Sequence, residues 1–200
     1  MKRVMCLALA ILFLFLSSCK ETSMQDGSVQ TTVLTADIVE RRIAKLSNPA
    51  YYEENDTFII ILENLEQDYA ALPENEKREV ENYDRLLLAR EIYNFDWIKI
   101  HAKQKIKEKV LGKFSNPSLL ELNFYHIYLY KLEEKVYVLA ILDYAFPNDA
   151  GDYEERSETA YYLFLPNPNN AGYNDGTEMD ADVYQEEVQG TTYYRRPQWQ

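Results

Sequence analysis

Leu120–Tyr130 (LELNFYHIYLY) and Val136–Phe146 (VYVLAILDYAF) stand on either side of Lys131-Leu132-Glu133-Glu134-Lys135. Both runs are crowded with β-branched and aromatic side chains, which suit the pleated, half-buried surface of a sheet. The polar interval between them has the length of a hairpin turn. Both faces of each run are largely apolar, the pattern of central strands covered on both sides. After the acidic loop Pro147–Glu155, Thr159–Leu165 (TAYYLFL) reads as a third strand, ended by Pro166-Asn167-Pro168-Asn169-Asn170.

Upstream the spacing changes to that of helices. Ala36–Leu46, capped by Thr35, places Ile38, Val39, Ile43 and Leu46 on one face, and Asn48-Pro49 ends it. A second helix starts near Asn55-Asp56-Thr57 and carries Phe58, Ile61, Leu62, Leu65 and Tyr69 inward until Pro73. Phe58–Leu62 alone also fits a short buried strand. Pro73-Glu74 opens a third helix with Val80, Tyr83, Leu87 and Tyr93 on its face. Trp97–Val110 (WIKIHAKQKIKEKV) has two readings. At helical spacing, Ile98, Ala102, Ile106 and Val110 form one stripe. At period two, Ile100 joins them, and Lys99, His101, Lys103, Lys105, Lys107 and Lys109 share the other face. Lys, Gln, Glu and Ala favour the helix.

These elements predict one α+β domain over residues 34–168: N-terminal helices followed by an antiparallel sheet of at least three strands. The order resembles cone-shaped α+β folds such as the nuclear-transport-factor-like group, a likeness of order that implies no activity. Beyond it, the 54 residues from Pro147 to Gln200 hold eleven acids against three arginines. Residues 169–200 therefore read as an acidic, Tyr-rich, solvated tail.

The N-terminus carries an export pattern. Met1-Lys2-Arg3 is short and positive, and Val4–Leu16 (VMCLALAILFLFL) is uncharged and apolar. As a helix that run rises roughly 20 Å, short of the ~30 Å hydrocarbon core of a bilayer. It reads as a signal-peptide core over residues 1–18, not as a membrane span. It closes on Leu16-Ser17-Ser18-Cys19, which resembles the lipobox of bacterial lipoproteins: an aliphatic residue, two small ones, then Cys. The resemblance covers residues 1–19. It implies that the Cys19 thiol receives a diacylglycerol, that the peptide is cut just before it, and that the chain is anchored to a membrane by lipid. Residues 19–33 then form a polar tether. In such lipoproteins an Asp after the Cys favours the inner membrane, so Lys20 points to the outer one. Lys20-Glu21 also resembles a surface-export signal of some bacteria, which leaves the periplasmic and surface sides both open.

Charge and cysteines narrow the chemistry. The formal charge is -12; loss of Lys2 and Arg3 with the signal takes the remainder to -14. Such a field opposes nucleic acid, whose phosphates need a basic partner, and disfavours adhesion to anionic lipid. The two cysteines are Cys6, inside the apolar run, and Cys19. The exported domain thus has no thiol for a disulfide, a metal or a nucleophile.

Few constellations invite chemistry. Asp175-Gly176 with Glu178, Asp180 and Asp182 offers hard oxygen ligands, but without the spacing of a calcium loop. The lysines of residues 99–109 suit an anionic partner or the chain's own acids. His101 lies among them and reads as exposed. His126, inside an aromatic strand, reads as packed or hydrogen-bonded to a neighbour, and Asp143 breaks the apolar run of the second strand. Gly-x-Ser-x-Gly, HExxH and phosphate-cradling glycine loops are absent. Tyrosine is abundant, with 17 copies. The segment Tyr193-Tyr194-Arg195-Arg196-Pro197-Gln198-Trp199 combines the residue types that anchor interfaces.

The expected function is therefore a non-catalytic binding module on an envelope lipoprotein, with an envelope protein as partner and no cofactor or metal. The alternatives are a small hydrolase-like enzyme using His126 or Asp143 in a pocket of the sheet, or a small-ligand carrier in that pocket. A deep pocket at His126 or Asp143 would favour the alternatives. A filled sheet with an exposed aromatic patch would favour the binder.

Overall fold

Why the middle of the chain is one long helix is clear from its composition. No Gly or Pro interrupts residues 83–111, and good helix formers dominate. In the computed structural model, which describes residues 33–49, 56–148 and 150–199, this stretch is helix α4 (Tyr83–Leu111). The expected signal segment 1–18, the lipid-bearing Cys19 and the tether up to residue 32 lie outside the described residues. Ile98, Ala102, Ile106 and Val110 are 1% exposed or less, whereas Ile100 is 45% exposed. The helical reading of residues 97–110 is thus the one adopted.

Before it come α1 (Ala36–Ala44), α2 (Asp56–Ala71) and the single turn α3 (Glu74–Lys77). Val39 and Ile43 of α1 and Phe58, Leu62 and Leu65 of α2 are buried, as the spacing predicts, but Ile61 is largely exposed. The expected third helix is two. Between Lys77 and Tyr83 the chain breaks into turns with Val80 buried, which resets the helical phase. Leu86, Ala89 and Ile92 consequently face inward, and Leu87, expected on the buried face, is 50% exposed. The helical layer is tied by hydrogen bonds and a ring stack. Ala36 N–H donates to Glu76 Oε2 at 2.9 Å, Asn82 Nδ2 to the Glu40 carbonyl at 2.8 Å, and Tyr69 stacks on Tyr83 at 3.9 Å.

The sheet is antiparallel, in the order β1 (Glu121–Leu132), β2 (Lys135–Pro147), β3 (Tyr153–Phe164), β4 (Thr177–Glu178). The expected hairpin is therefore present, joined by Glu133-Glu134 with Glu133 in the left-handed region at φ 54°. Because side chains alternate, Val136, Val138, Ala140, Leu142 and Tyr144 of β2 share one face, and this face packs on α4. The expectation of two central strands holds for β2 alone. β1 is the edge, and its outer positions Phe124, His126 and Tyr128 are exposed. β3 starts at Tyr153, before the apolar Thr159–Leu165 run, because its polar half pairs with Phe146 and Pro147 beyond the reach of the core.

Residues 169–200 correct the sequence reading most. They were expected to be a solvated tail and instead belong to the same compact unit, Ala36–Gln200, as the helices and hairpin. They supply β4 and helix α5 (Ala181–Val188) and then run back over the hairpin. Tyr184 is 4% exposed against Tyr161 and Tyr130, and Tyr194 N–H donates to the Leu129 carbonyl at 2.7 Å. The physical reason is that scattered tyrosines dock singly, into places already shaped by other elements. That needs no periodicity of their own.

Candidate functional site

The outer face of the sheet gathers the residues that sequence singled out. Register sets Phe124 beside Asp143 and Asp143 beside Ser157; one step along, His126 lies beside Ile141 and Ile141 beside Thr159. His126 Nε2 is 3.3 Å from Asp143 Oδ2, and Ser157 Oγ donates to Asp143 Oδ1 at 2.5 Å. His126 and Asp143 are thus brought together, with Ser157 as a third member. Sequence gave no sign of Ser157, which becomes visible only through the β2–β3 register. The order of the three matters. In a nucleophilic triad the imidazole stands between hydroxyl and carboxylate so that it can take the hydroxyl proton. Here the carboxylate stands between the other two and accepts from Ser157, which leaves that hydroxyl unactivated. The surroundings are open as well: Phe124 is 69% and Tyr128 38% exposed on this face.

A cavity of about 230 Å³ lies elsewhere, where α4 meets the hairpin end and the C-terminal segment. Its polar lining is spent on internal pairs. Arg90, 8% exposed, holds Glu66 through two hydrogen bonds of 2.7 and 2.5 Å. Glu91 accepts from Lys131 at 3.2 Å and from the Tyr194 hydroxyl at 2.9 Å, and Asn94 donates to the Ala171 carbonyl at 2.8 Å. Neither His126 nor Asp143 lines it. Chemically it is a joint that clamps the C-terminal segment.

The same segment was singled out as an interface anchor, and it docks on its own domain. Tyr193 bridges Tyr130, Arg196 forms a bidentate pair with Asp96 at 2.7–3.0 Å, and the Arg85 guanidinium lies 4.4 Å from the Trp199 ring centroid. The α4 lysines divide into two rows, as a helix requires. Lys105 pairs with Asp175 at 2.8 Å and Lys109 with Glu178 at 2.5 Å and Glu158 at 3.5 Å; Lys113, just past the helix, also pairs with Glu158. Two of the four clustered acids, Asp175 and Glu178, are therefore ion-pair partners of helix lysines. Burial opposes the charge of Lys109, but the hydrogen bond and charge of Glu178 outweigh it and raise its pKa. His101, expected to be exposed, is half-buried: it stacks on Trp97 at 3.7 Å, with Nδ1 2.9 Å from the Trp97 carbonyl.

Several tyrosines are buried strongly enough to resist ionisation. Burial, then the Glu187 carboxylate that accepts its hydroxyl at 2.9 Å, pushes Tyr137 up to about 12; burial and nearby glutamates push Tyr162 to about 12. Burial followed by Glu91 raises Tyr194 further. The native chain then keeps protons that the unfolded chain releases from pH 10, so stability falls as pH rises from 10 through about 12. Urea melts across this range should show a steadily falling midpoint. A constant midpoint, with all tyrosines ionising near pH 10 in an absorbance titration, would refute the burial of Tyr137 and Tyr162.

No protein-family model, curated protein or solved structure matches the chain. The likeness to the nuclear-transport-factor-like group therefore stays one of element order.

Proposed function

We propose that the chain is a lipid-anchored lipoprotein of the cell envelope, held through Cys19 in the outer membrane, and that its α+β domain is a non-catalytic module that binds another envelope component. The anchoring half rests on Leu16-Ser17-Ser18-Cys19 closing a short apolar run behind Lys2 and Arg3. The binding half rests on one observation. His126, Asp143 and Ser157 satisfy one another on an open sheet face beside exposed Phe124 and Tyr128, an arrangement suited to contact rather than to proton transfer.

Cys19→Ala should abolish incorporation of a radioactive fatty acid and leave the uncleaved precursor. Equal labelling of the two chains would sink the anchoring claim. The enzyme reading keeps second place, because an acid, a base and a hydroxyl do lie in line. Covalent labelling of Ser157 by a serine-reactive phosphonate would promote it.

A further inference from the structure

One long edge of the sheet is only partly covered. In an antiparallel ladder, alternate residues turn their N–H and C=O away from the neighbouring strand. The Leu129 carbonyl accepts Tyr194 N–H from outside, so Leu129, Ile127 and Tyr125 are the residues of β1 whose main-chain groups point outward. The C-terminal segment pairs with this edge only at Leu129 and Tyr130. It then leaves, as Arg196 turns to Asp96 on α4 and Pro197 offers no N–H. The outward groups of Tyr125 and Ile127 have no partner among the described residues.

Exposed edges are normally guarded by Lys, Pro or inward-pointing charge. Leu122–Tyr130 (LNFYHIYLY) has no Lys, Arg, Asp, Glu or Pro. Beside it runs the second lysine row of α4. Lys103 Nζ lies 4.6 Å from the ring centroid of Tyr125 on β1, and Lys99 and Lys107, one turn away on each side, share that flank. Unlike Lys105 and Lys109, these three have no carboxylate within ion-pair distance among the described residues. An otherwise acidic chain therefore holds a basic row with no ion-pair partner among the described residues, along a strand edge that carries no Lys, Arg, Asp, Glu or Pro of its own.

We propose that the free β1 edge at Tyr125 and Ile127 takes an extended acidic peptide of a partner protein as an added strand. Its alternate side chains fall on the two sides of the sheet. Acids on one side meet Lys99, Lys103 and Lys107; apolar residues on the other lie beside Phe124 and Tyr128. A second copy of the chain fits less well. Pairing β1 with β1 about a twofold axis keeps both α4 helices on one side of the joined sheet and sets the two lysine rows against each other. The proposal rests on the binding-module reading and names its site and the class of its partner.

The probe is a blocked peptide of alternating glutamate and valine, titrated by fluorescence anisotropy against the full chain in detergent. Binding should weaken with salt. It should be about tenfold or more weaker for the same peptide with lysine in place of glutamate, and for the chain carrying K99E, K103E and K107E together. A peptide N-methylated at alternate residues keeps its charge but loses its main-chain donors, and should also bind about tenfold or more weakly. This last comparison uses the unaltered chain, so it stands even if the triple variant does not fold. Equal binding of the N-methylated or the lysine peptide would overturn the proposal. So would absence of binding at millimolar peptide, or sedimentation of the chain as a dimer that excludes the peptide. Lipid labelling through Cys19 is independent of all these results, so this inference and the anchoring claim fail separately.

Discussion

Phe164→Ala should lower the free energy of unfolding by about 3–5 kcal/mol, the upper range for truncating a buried aromatic. Phe164 ends β3, is 0% exposed and sits opposite Val136. Trp97 of α4 meets it edge-on, at 6.2 Å between ring centroids. The remaining side is closed by main chain: a Cβ at Gly176 would come within 2.5 Å of the ring. Walls made of a sheet neighbour, a long helix and glycine backbone collapse poorly, so most of the cavity cost should be paid in full. The same geometry explains why residue 176 is glycine, at a position where no turn conformation demands it. Gly176→Ala alone should cost roughly 1–3 kcal/mol by overpacking. In the Phe164→Ala background it should cost clearly less, because the space it needs has been vacated. Urea melts of the four full-length chains give both numbers. Additive losses would mean that the two residues do not touch.

How much of this was legible beforehand differs from element to element, for physical reasons. The hairpin declared itself because β2 is buried on the helix side and apolar on the other, so its composition reports its environment directly. The Trp97–Val110 stretch was ambiguous because apolar residues four apart satisfy periods of both two and four; helix propensity resolved it, and the exposure of Ile100 agrees. The break at Arg78–Asn82 could not be placed, since neither Gly nor Pro marks it and its buried Val80 continues the apolar pattern. Of the candidate site, His126 and Asp143 were visible as polar interruptions of apolar runs. Their pairing, and Ser157 as the third member, depend on register across three strands. Register is set by turn lengths and core packing together. The guarded and unguarded halves of α4 were likewise invisible. Nothing local distinguishes Lys103 from Lys105; only the positions of Glu158, Glu178 and Asp175 in space do.

Removing residues 171–200 should be far more damaging than an acidic tail would allow. Three tyrosines of this segment, Tyr173, Tyr184 and Tyr194, are buried or half-buried, and Tyr184 and Tyr194 pack against rings of the sheet and of α4. Burying a large side chain is worth about 1.5–3 kcal/mol, so the three together outweigh most single core residues. The polar partners add to this. Without the segment, Glu91 loses the Tyr194 hydroxyl, Asp96 loses Arg196, Tyr137 loses Glu187 and Phe164 loses the Gly176 wall. On the lost tyrosine burial alone the cost should be on the order of 5 kcal/mol, a large share of a total stability of about 5–15 kcal/mol. A chain ending at Asn170 should therefore melt at a much lower urea midpoint, or fail to fold. Tyr184→Ala and Tyr194→Ala, measured singly, should each account for a visible part of the change. A truncated chain within about 1 kcal/mol of the intact one, the scale of peripheral contacts, would show that the segment adds nothing to the core and that its tyrosines merely rest on it.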